Sequence, residues 1–92
     1  MLKKIKVIVV DDSALMRKII SDMINSEIEM EVIDTARNGE ELLLKITKVV
    51  PDIITLDIEM PKMNGKETLK KLKKINVNIP VIMLSRDRKS VV

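Results

Sequence analysis

Residues 52–65 read DIITLDIEMPKMNG. The first part is an apolar run around the β-branched Thr55, which predicts a strand buried on both faces over residues 52–57. Pro61 then fixes the backbone, and Asn64 with its following glycine is typical of a turn. Ligands bind at the carboxyl ends of strands in open parallel α/β sheets. We therefore expect Asp57 at an exposed strand end, facing a loop.

The rest of the chain alternates between strand and helix patterns. Apolar runs predict further strands, over residues 6–10, 31–36 and 80–85. The second of these runs is weaker and partly polar, as expected at a sheet edge. Helical spacing of apolar residues predicts helices over residues 14–26, 39–50 and 65–75. Such alternation favours a parallel sheet with right-handed crossovers, an α/β fold.

The composition excludes several classes of chemistry. The chain has no Cys and no His, which excludes disulfides, thiolate or imidazole metal ligands and a histidine base. The 46% hydrophobic and 34% charged content indicates one globular domain. Neither a signal peptide nor a membrane-spanning run is visible, so we expect a cytoplasmic protein without a membrane partner.

Nucleic-acid binding is disfavoured despite a net charge of +3. The lysines of the third predicted helix suit a solvated face and the negative end of the helix dipole. No aromatic residue is available for base stacking.

Polar residues follow three of the predicted strands. They are Asp11 and Asp12, Asp57, and Ser85. Each alone suits a turn or a helix start, but parallel strands bring all of them to one edge of the sheet. Clustered carboxylates repel one another unless a cation or a proton intervenes, and an all-oxygen set suits Mg²⁺. A metal beside a nucleophilic aspartate fits phosphoryl transfer.

Three stretches of the sequence carry a family resemblance. VVDDSALMR at 9–17, LDIEMPKMNG at 56–65 and PVIMLS at 80–85 resemble the receiver domain of two-component response regulators. These motif sequences are most similar to those of the N-terminal receiver of chemotaxis methylesterases. They are next most similar to those of the single-domain chemotaxis regulator. The resemblance implies a flavodoxin-like open sheet with the strand order 2-1-3-4.

The resemblance also implies roles for individual residues. Asp57 would accept phosphate from a sensor histidine kinase. Mg²⁺ would be bound by Asp12, Asp57 and the backbone carbonyl of Glu59, with Asp11 acting mainly through water. Ser85 would form a hydrogen bond with the phosphoryl group and take part in switching.

The resemblance stops after Ser85. Receivers continue through a helix, a strand ending in Lys-Pro and a last helix, so the lysine that pairs with phosphate has no matched counterpart here. The cations of the tail follow no motif that would place them; they are Arg86, Arg88 and Lys89. We therefore expect a truncated receiver over residues 1–85 and a short basic tail over 86–92, impaired in switching.

Two alternatives to a signalling receiver remain open. One is a receiver-derived interaction module that keeps the acidic pocket, dimerises and is not phosphorylated. The other is a hydrolase, which is disfavoured because the usual Asp-x-Asp pair is missing, although Glu59 occupies its second position. We expect no enzyme, since no methylesterase domain is present.

The fourth strand leads to an expectation about assembly. As an edge strand, residues 81–84 would present an apolar row with unpaired backbone groups. Side chains of the third and fourth strands that a longer receiver buries would also meet water. We therefore expect a homodimer, formed through this edge or through the bare sheet face.

Overall fold

The computed structural model describes residues 3–58, 65–74 and 78–84. Its elements, in chain order, are β1 (Ile5–Val10), α1 (Ala14–Asn25), β2 (Met30–Ala36), α2 (Gly39–Lys45), β3 (Ile53–Asp57), α3 (Gly65–Lys74) and β4 (Val81–Leu84). The strands form one parallel sheet in the order β2-β1-β3-β4. This confirms the predicted flavodoxin-like order, with β2 at an edge. No helix among the described residues is long and apolar enough to cross a bilayer.

The strand order places the helices on two faces of the sheet. The connection from β1 to β2 runs in one direction across the sheet, and those from β2 to β3 and from β3 to β4 run in the other. Because such crossovers are right-handed, α1 lies on one face and α2 and α3 on the opposite face. We call the face covered by α2 and α3 the closed face, and the face that carries α1 the open face.

The closed face contains the main hydrophobic cluster, although Val7 and Val9, on the other face of β1, are also fully buried. Its buried side chains come from three strands and from the two helices that cover this face, and are Ile8, Val10, Ala36, Leu42, Ile46, Ile54, Leu56 and Leu72. Burying one such aliphatic side chain contributes about 1.5–3 kcal/mol. The closed face therefore supplies most of the hydrophobic stabilisation of the domain.

The open face is less well covered. Ser13 caps α1, since its Oγ accepts a hydrogen bond from the Met16 N–H at 3.2 Å. The helix nevertheless has no buried residue. The side chains of Leu15 and Met23 are 68% and 66% exposed, and that of Ile19 is 41% exposed. The apolar pattern correctly predicted the helix, but half of that pattern faces solvent.

The predicted extent of the second helix is wrong. α2 ends at Lys45 rather than continuing to Pro51. The N–H groups of Thr47 and Lys48 bond to carbonyls three residues back, and the Thr47 hydroxyl donates to the Leu44 carbonyl at 2.6 Å. These contacts tighten the last turn, and β-branched residues beyond it disfavour further helix. Val50, the last residue of the predicted helix, is exposed.

The expectation that strands three and four meet water holds for only one of them. In β4, Ile82 is 49% exposed. In β3, Ile54 and Leu56 are fully buried in the core, and Thr55 is 8% exposed. Thr55 is shielded because its paired neighbours on the open face are Val9 and Ile82. The side chains of β3 are therefore shielded from water by the strands on both sides, whereas Ile82 of the edge strand β4 remains exposed.

Candidate cation site at the carboxyl edge of the sheet

Three carboxylates meet at the carboxyl ends of β1 and β3. One oxygen from each of Asp11, Asp12 and Asp57 lies within 4.8 Å of the other two. The pairing of Val10 with Leu56 brings the two strand ends side by side, although they are distant in sequence. The convergence expected for the three carboxylates is therefore present, whereas Ser85, the fourth expected member, lies outside the described residues.

The three carboxylates differ in exposure. Asp11 and Asp57 are 2% and 1% exposed, whereas Asp12 is exposed to solvent. The expectation of an exposed Asp57 is thus wrong. The β3–β4 ladder continues past it, since the Ile58 N–H donates to the Leu84 carbonyl at 3.0 Å, and Asp57 lies inside the sheet rather than at a frayed end. Burial of negative charge is costly unless it is compensated, which favours a cation at this point.

Asp11 is fixed by three hydrogen bonds from three directions. Its N–H donates to the Ala36 carbonyl of β2 at 3.0 Å. Its Oδ1 accepts a hydrogen bond from the Ser13 N–H at 2.9 Å, and its carbonyl accepts one from Arg17 Nη1 at 2.8 Å. Backbone and side chain of Asp11 are therefore both held in place by the neighbouring elements.

The donor set suits Mg²⁺ in chemistry and in size. All the converging atoms are carboxylate oxygens, the hard ligands that this ion prefers. Opposite ligands of an octahedral Mg²⁺ are about 4.2 Å apart, given ligand distances of about 2.1 Å. Adjacent octahedral ligands are about 3.0 Å apart and three ligands cannot all be opposite one another, so carboxylates up to 4.8 Å apart would close toward the ion or reach it through a water.

Other predicted site residues lie outside the described residues. These are Glu59 and Ser85, together with the tail cations Arg86, Arg88 and Lys89. Their roles stay predictions.

Sequence reasoning missed the contact made by Arg17. Arg17 ends the 9–17 stretch, and no role was predicted for it. A signal was available, because a cation in the first turn of a helix opposes the helix dipole and needs another reason to be there.

Comparison with known proteins identifies the family. The sequence-family model described as response regulator receiver domain matches residues 7–92. The chain belongs to the response regulator receiver family. This receiver is 58% identical over 84 residues to a protein-glutamate methylesterase/protein-glutamine glutaminase of Clostridium acetobutylicum, covering 91% of the chain and 24% of the relative. A protein of the same name in Bacillus subtilis is 62% identical over 81 residues, covering 88% of the chain and 22% of the relative.

Solved structures show the same fold. The response regulator domain of Thermotoga maritima CheB matches the receiver with a TM-score of 0.85 and 44% identity, over 94% of this chain and 63% of that one. The CheX-CheY-BeF3-Mg²⁺ complex of Borrelia burgdorferi gives a TM-score of 0.85 and 37% identity, over 97% of this chain and 67% of that one. The receiver thus spans about a quarter of its curated methylesterase relatives, and it matches their receiver rather than their esterase domain.

Proposed function

We propose that this receiver works in two-component signalling, with Asp57 as phosphoacceptor and with Mg²⁺ bound by Asp11, Asp12 and Asp57. The observation that carries the proposal is the meeting of three carboxylates within 4.8 Å, two of them buried, in a chain of the receiver family. The backbone carbonyl of Glu59 would complete the cation ligands and Ser85 would bond the phosphoryl group. The phosphodonor would be a sensor histidine kinase in the cytoplasm, in a chemotaxis pathway.

The chemistry assigned to Asp57 is nucleophilic. One carboxylate oxygen attacks the phosphorus of a phosphohistidine; an O–P bond forms, and the P–N bond breaks with its electron pair returning to the imidazole. Mg²⁺, when bound, offsets the negative charge of the phosphoryl oxygens. Asp11 and Asp12 would hold the cation close to Asp57, and burial of Asp57 would limit the access of water to the acyl phosphate.

The rate of this reaction is expected to be low in the 92-residue chain. No lysine matches the motif that pairs with phosphate in the family, and one such group is worth about a hundred- to a thousandfold in rate. We expect acetyl phosphate with Mg²⁺ to label the chain slowly or undetectably, as followed by intact-mass spectrometry. Rapid, stoichiometric labelling would show that a tail cation replaces the lysine.

The assignment of Asp57 has its own control. With beryllofluoride and Mg²⁺, a stable substitute for the phosphoryl group, backbone NMR shifts should centre on Asp57 and its neighbours. Asp57→Asn should abolish them, because its amide is not an anionic oxygen ligand. Shifts that persist in Asp57→Asn would place the acceptor elsewhere.

A second candidate function follows from the open face. The half-exposed Ile82 and the exposed apolar side chains of α1 suit contact with a second copy of the chain. The non-phosphorylated interaction module would dimerise through this face or through the β4 edge. It would not bind beryllofluoride. We propose dimerisation in either case, and we assign the chain no esterase activity and no nucleic-acid or membrane partner.

A further inference from the structure

We infer that Arg17 is a positioning residue for the cation site, because it holds the peptide that joins Asp11 to Asp12. Its Nη1 donates to the Asp11 carbonyl at 2.8 Å, and the contact is partly buried. The inference deepens the proposed function and rests on it for its metal-binding consequence.

The geometry explains how one hydrogen bond to Asp11 acts on Asp12. A peptide unit is planar, so fixing the Asp11 carbonyl oxygen also fixes the direction of the Asp12 N–H and the place of its Cα. Asp11 itself is anchored by β2 and by Ser13. Asp12 is the exposed member of the cluster and lies between these anchored neighbours. Arg17 therefore helps to fix the backbone that carries the site's least buried carboxylate.

Arg17 also connects two elements. Its own N–H donates to the Ser13 carbonyl at 2.9 Å, within the first turn of α1. Its side chain folds back from that turn to the end of β1, where Asp11 follows the last strand residue. The helix start, the connecting loop and the strand end thus form one closed unit. A guanidinium suits this task because its planar donors have a fixed direction, unlike a flexible ammonium group.

The local charges make the position unusual. A cation in the first helical turn is disfavoured by the helix dipole, and α1 has no acidic residue there to compensate. A positive side chain near the carboxylates also repels Mg²⁺. If Arg17 acted on the site only through its positive charge, its removal would tighten Mg²⁺ binding. If it positions the site, its removal weakens binding, so the two roles predict opposite signs.

The test compares Arg17→Ala with Lys18→Ala. Lys18 is the matched control, since it carries the same charge one residue later but is 73% exposed and pairs with Asp22 at 3.1 Å. Loss of an outer-shell partner typically lowers metal affinity about 10–100-fold. We expect at least about a tenfold loss of Mg²⁺ affinity in Arg17→Ala, less than about a twofold change in Lys18→Ala, and an intermediate value in Arg17→Lys. Unchanged or tighter binding in a folded Arg17→Ala overturns the inference; if that variant does not fold, Arg17→Lys is judged by the same criterion.

A second measurement separates this inference from the proposed function. The NMR order parameter of the Asp12 amide, measured without metal, should fall in Arg17→Ala and stay unchanged in Lys18→Ala. An unchanged Asp12 amide in Arg17→Ala overturns the inference whatever the metal data show. If the unmodified chain fails to bind Mg²⁺, the proposed function is wrong, and the Asp12 amide alone decides whether Arg17 positions the loop.

Discussion

The two faces of the sheet are built from the same strands but packed very differently. On the closed face, α2 and α3 bury Ile54 and Leu56 completely. On the open face, α1 has no buried residue, and Ile82 is 49% exposed. Adjacent residues of one strand thus lie in different environments, since β4 packs Val81 and Met83 against the core while Ile82 faces the other way.

This difference in packing suggests that the closed face stabilises the fold, whereas the open face is available for association. Hydrophobic stabilisation scales with the apolar area removed from water, so the closed face holds the fold together. The open face keeps apolar area that only a further surface can bury. The carboxylates lie at the carboxyl ends of β1 and β3, the strands that contribute Ile8, Val10, Ile54 and Leu56 to the core of the closed face. We expect substitutions on the two faces to have effects of different kinds.

The largest effect should come from Ile54→Ala, compared with Ile82→Ala. The two isoleucines lie on paired strands and face opposite sides of the sheet. Ile54 is fully buried, so its truncation should lower the free energy of unfolding by about 2–5 kcal/mol, which is a large part of the stability of a small domain. Ile82→Ala should cost less than about 1 kcal/mol in dilute solution. Urea unfolding followed by circular dichroism measures both, and equal losses would contradict the contrast between the faces.

The open face is tested next by its effect on assembly. We expect the chain to form a dimer at micromolar concentration, and Ile82→Lys to weaken it by adding a charge to an apolar contact. Leu44→Lys is the control, because Leu44 is also exposed but lies on α2. Light scattering after size exclusion gives the mass. A well-folded monomer of 10.5 kDa with protected amides over residues 81–84 would refute dimerisation through β4 or the open face.

The smallest effect concerns an ion-pair network at the surface of the closed face. Burial raises the pKa of Glu41, but hydrogen bonds from Arg37 and Lys45 outweigh it and hold the pKa below the ordinary value. A lowered pKa in the folded state stabilises the protein above the ordinary pKa, and this contribution is lost as the pH falls through the lowered value.

Glu41→Gln should therefore cost a few tenths of a kcal/mol near neutral pH and progressively less as the pH falls below about 4. The exposed Glu40, in the same first turn of α2, provides the control. The difference in urea midpoint between the unmodified chain and Glu41→Gln should become smaller as the pH falls. The corresponding difference for Glu40→Gln should change little with pH. A difference in urea midpoint for Glu41→Gln that grows on acidification would show that the pKa of Glu41 is not lowered in the folded state.

The sequence predicted the parts of the fold that depend on local pattern. Apolar β-branched runs marked all four strands, and the partly polar 31–36 segment was correctly placed at an edge. Convergence of Asp11, Asp12 and Asp57 followed from the common edge of parallel strand ends. These features depend on hydrophobic period and chain direction, which are visible in one sequence.

Other features depend on tertiary contacts and were missed. Apolar spacing alone could not show that α2 stops at Lys45, because the hydrogen bonds of Thr47 and Lys48 decide that turn. The burial of Asp57 depends on how far β4 runs beside β3. The contact between Arg17 and Asp11 is a side-chain contact across a turn, and a motif match does not describe it.

The most direct test of the account is a Mg²⁺ titration followed by backbone NMR. The three carboxylates repel one another and need a cation, so shifts should centre on Asp11, Asp12 and Asp57, with weak affinity. Asp57→Asn and Asp12→Ala should each reduce that affinity clearly, while Asp22→Ala, on the exposed surface of α1, should not. Shifts centred elsewhere, or an affinity unchanged by Asp57→Asn and Asp12→Ala, would contradict the assignment of the cation site.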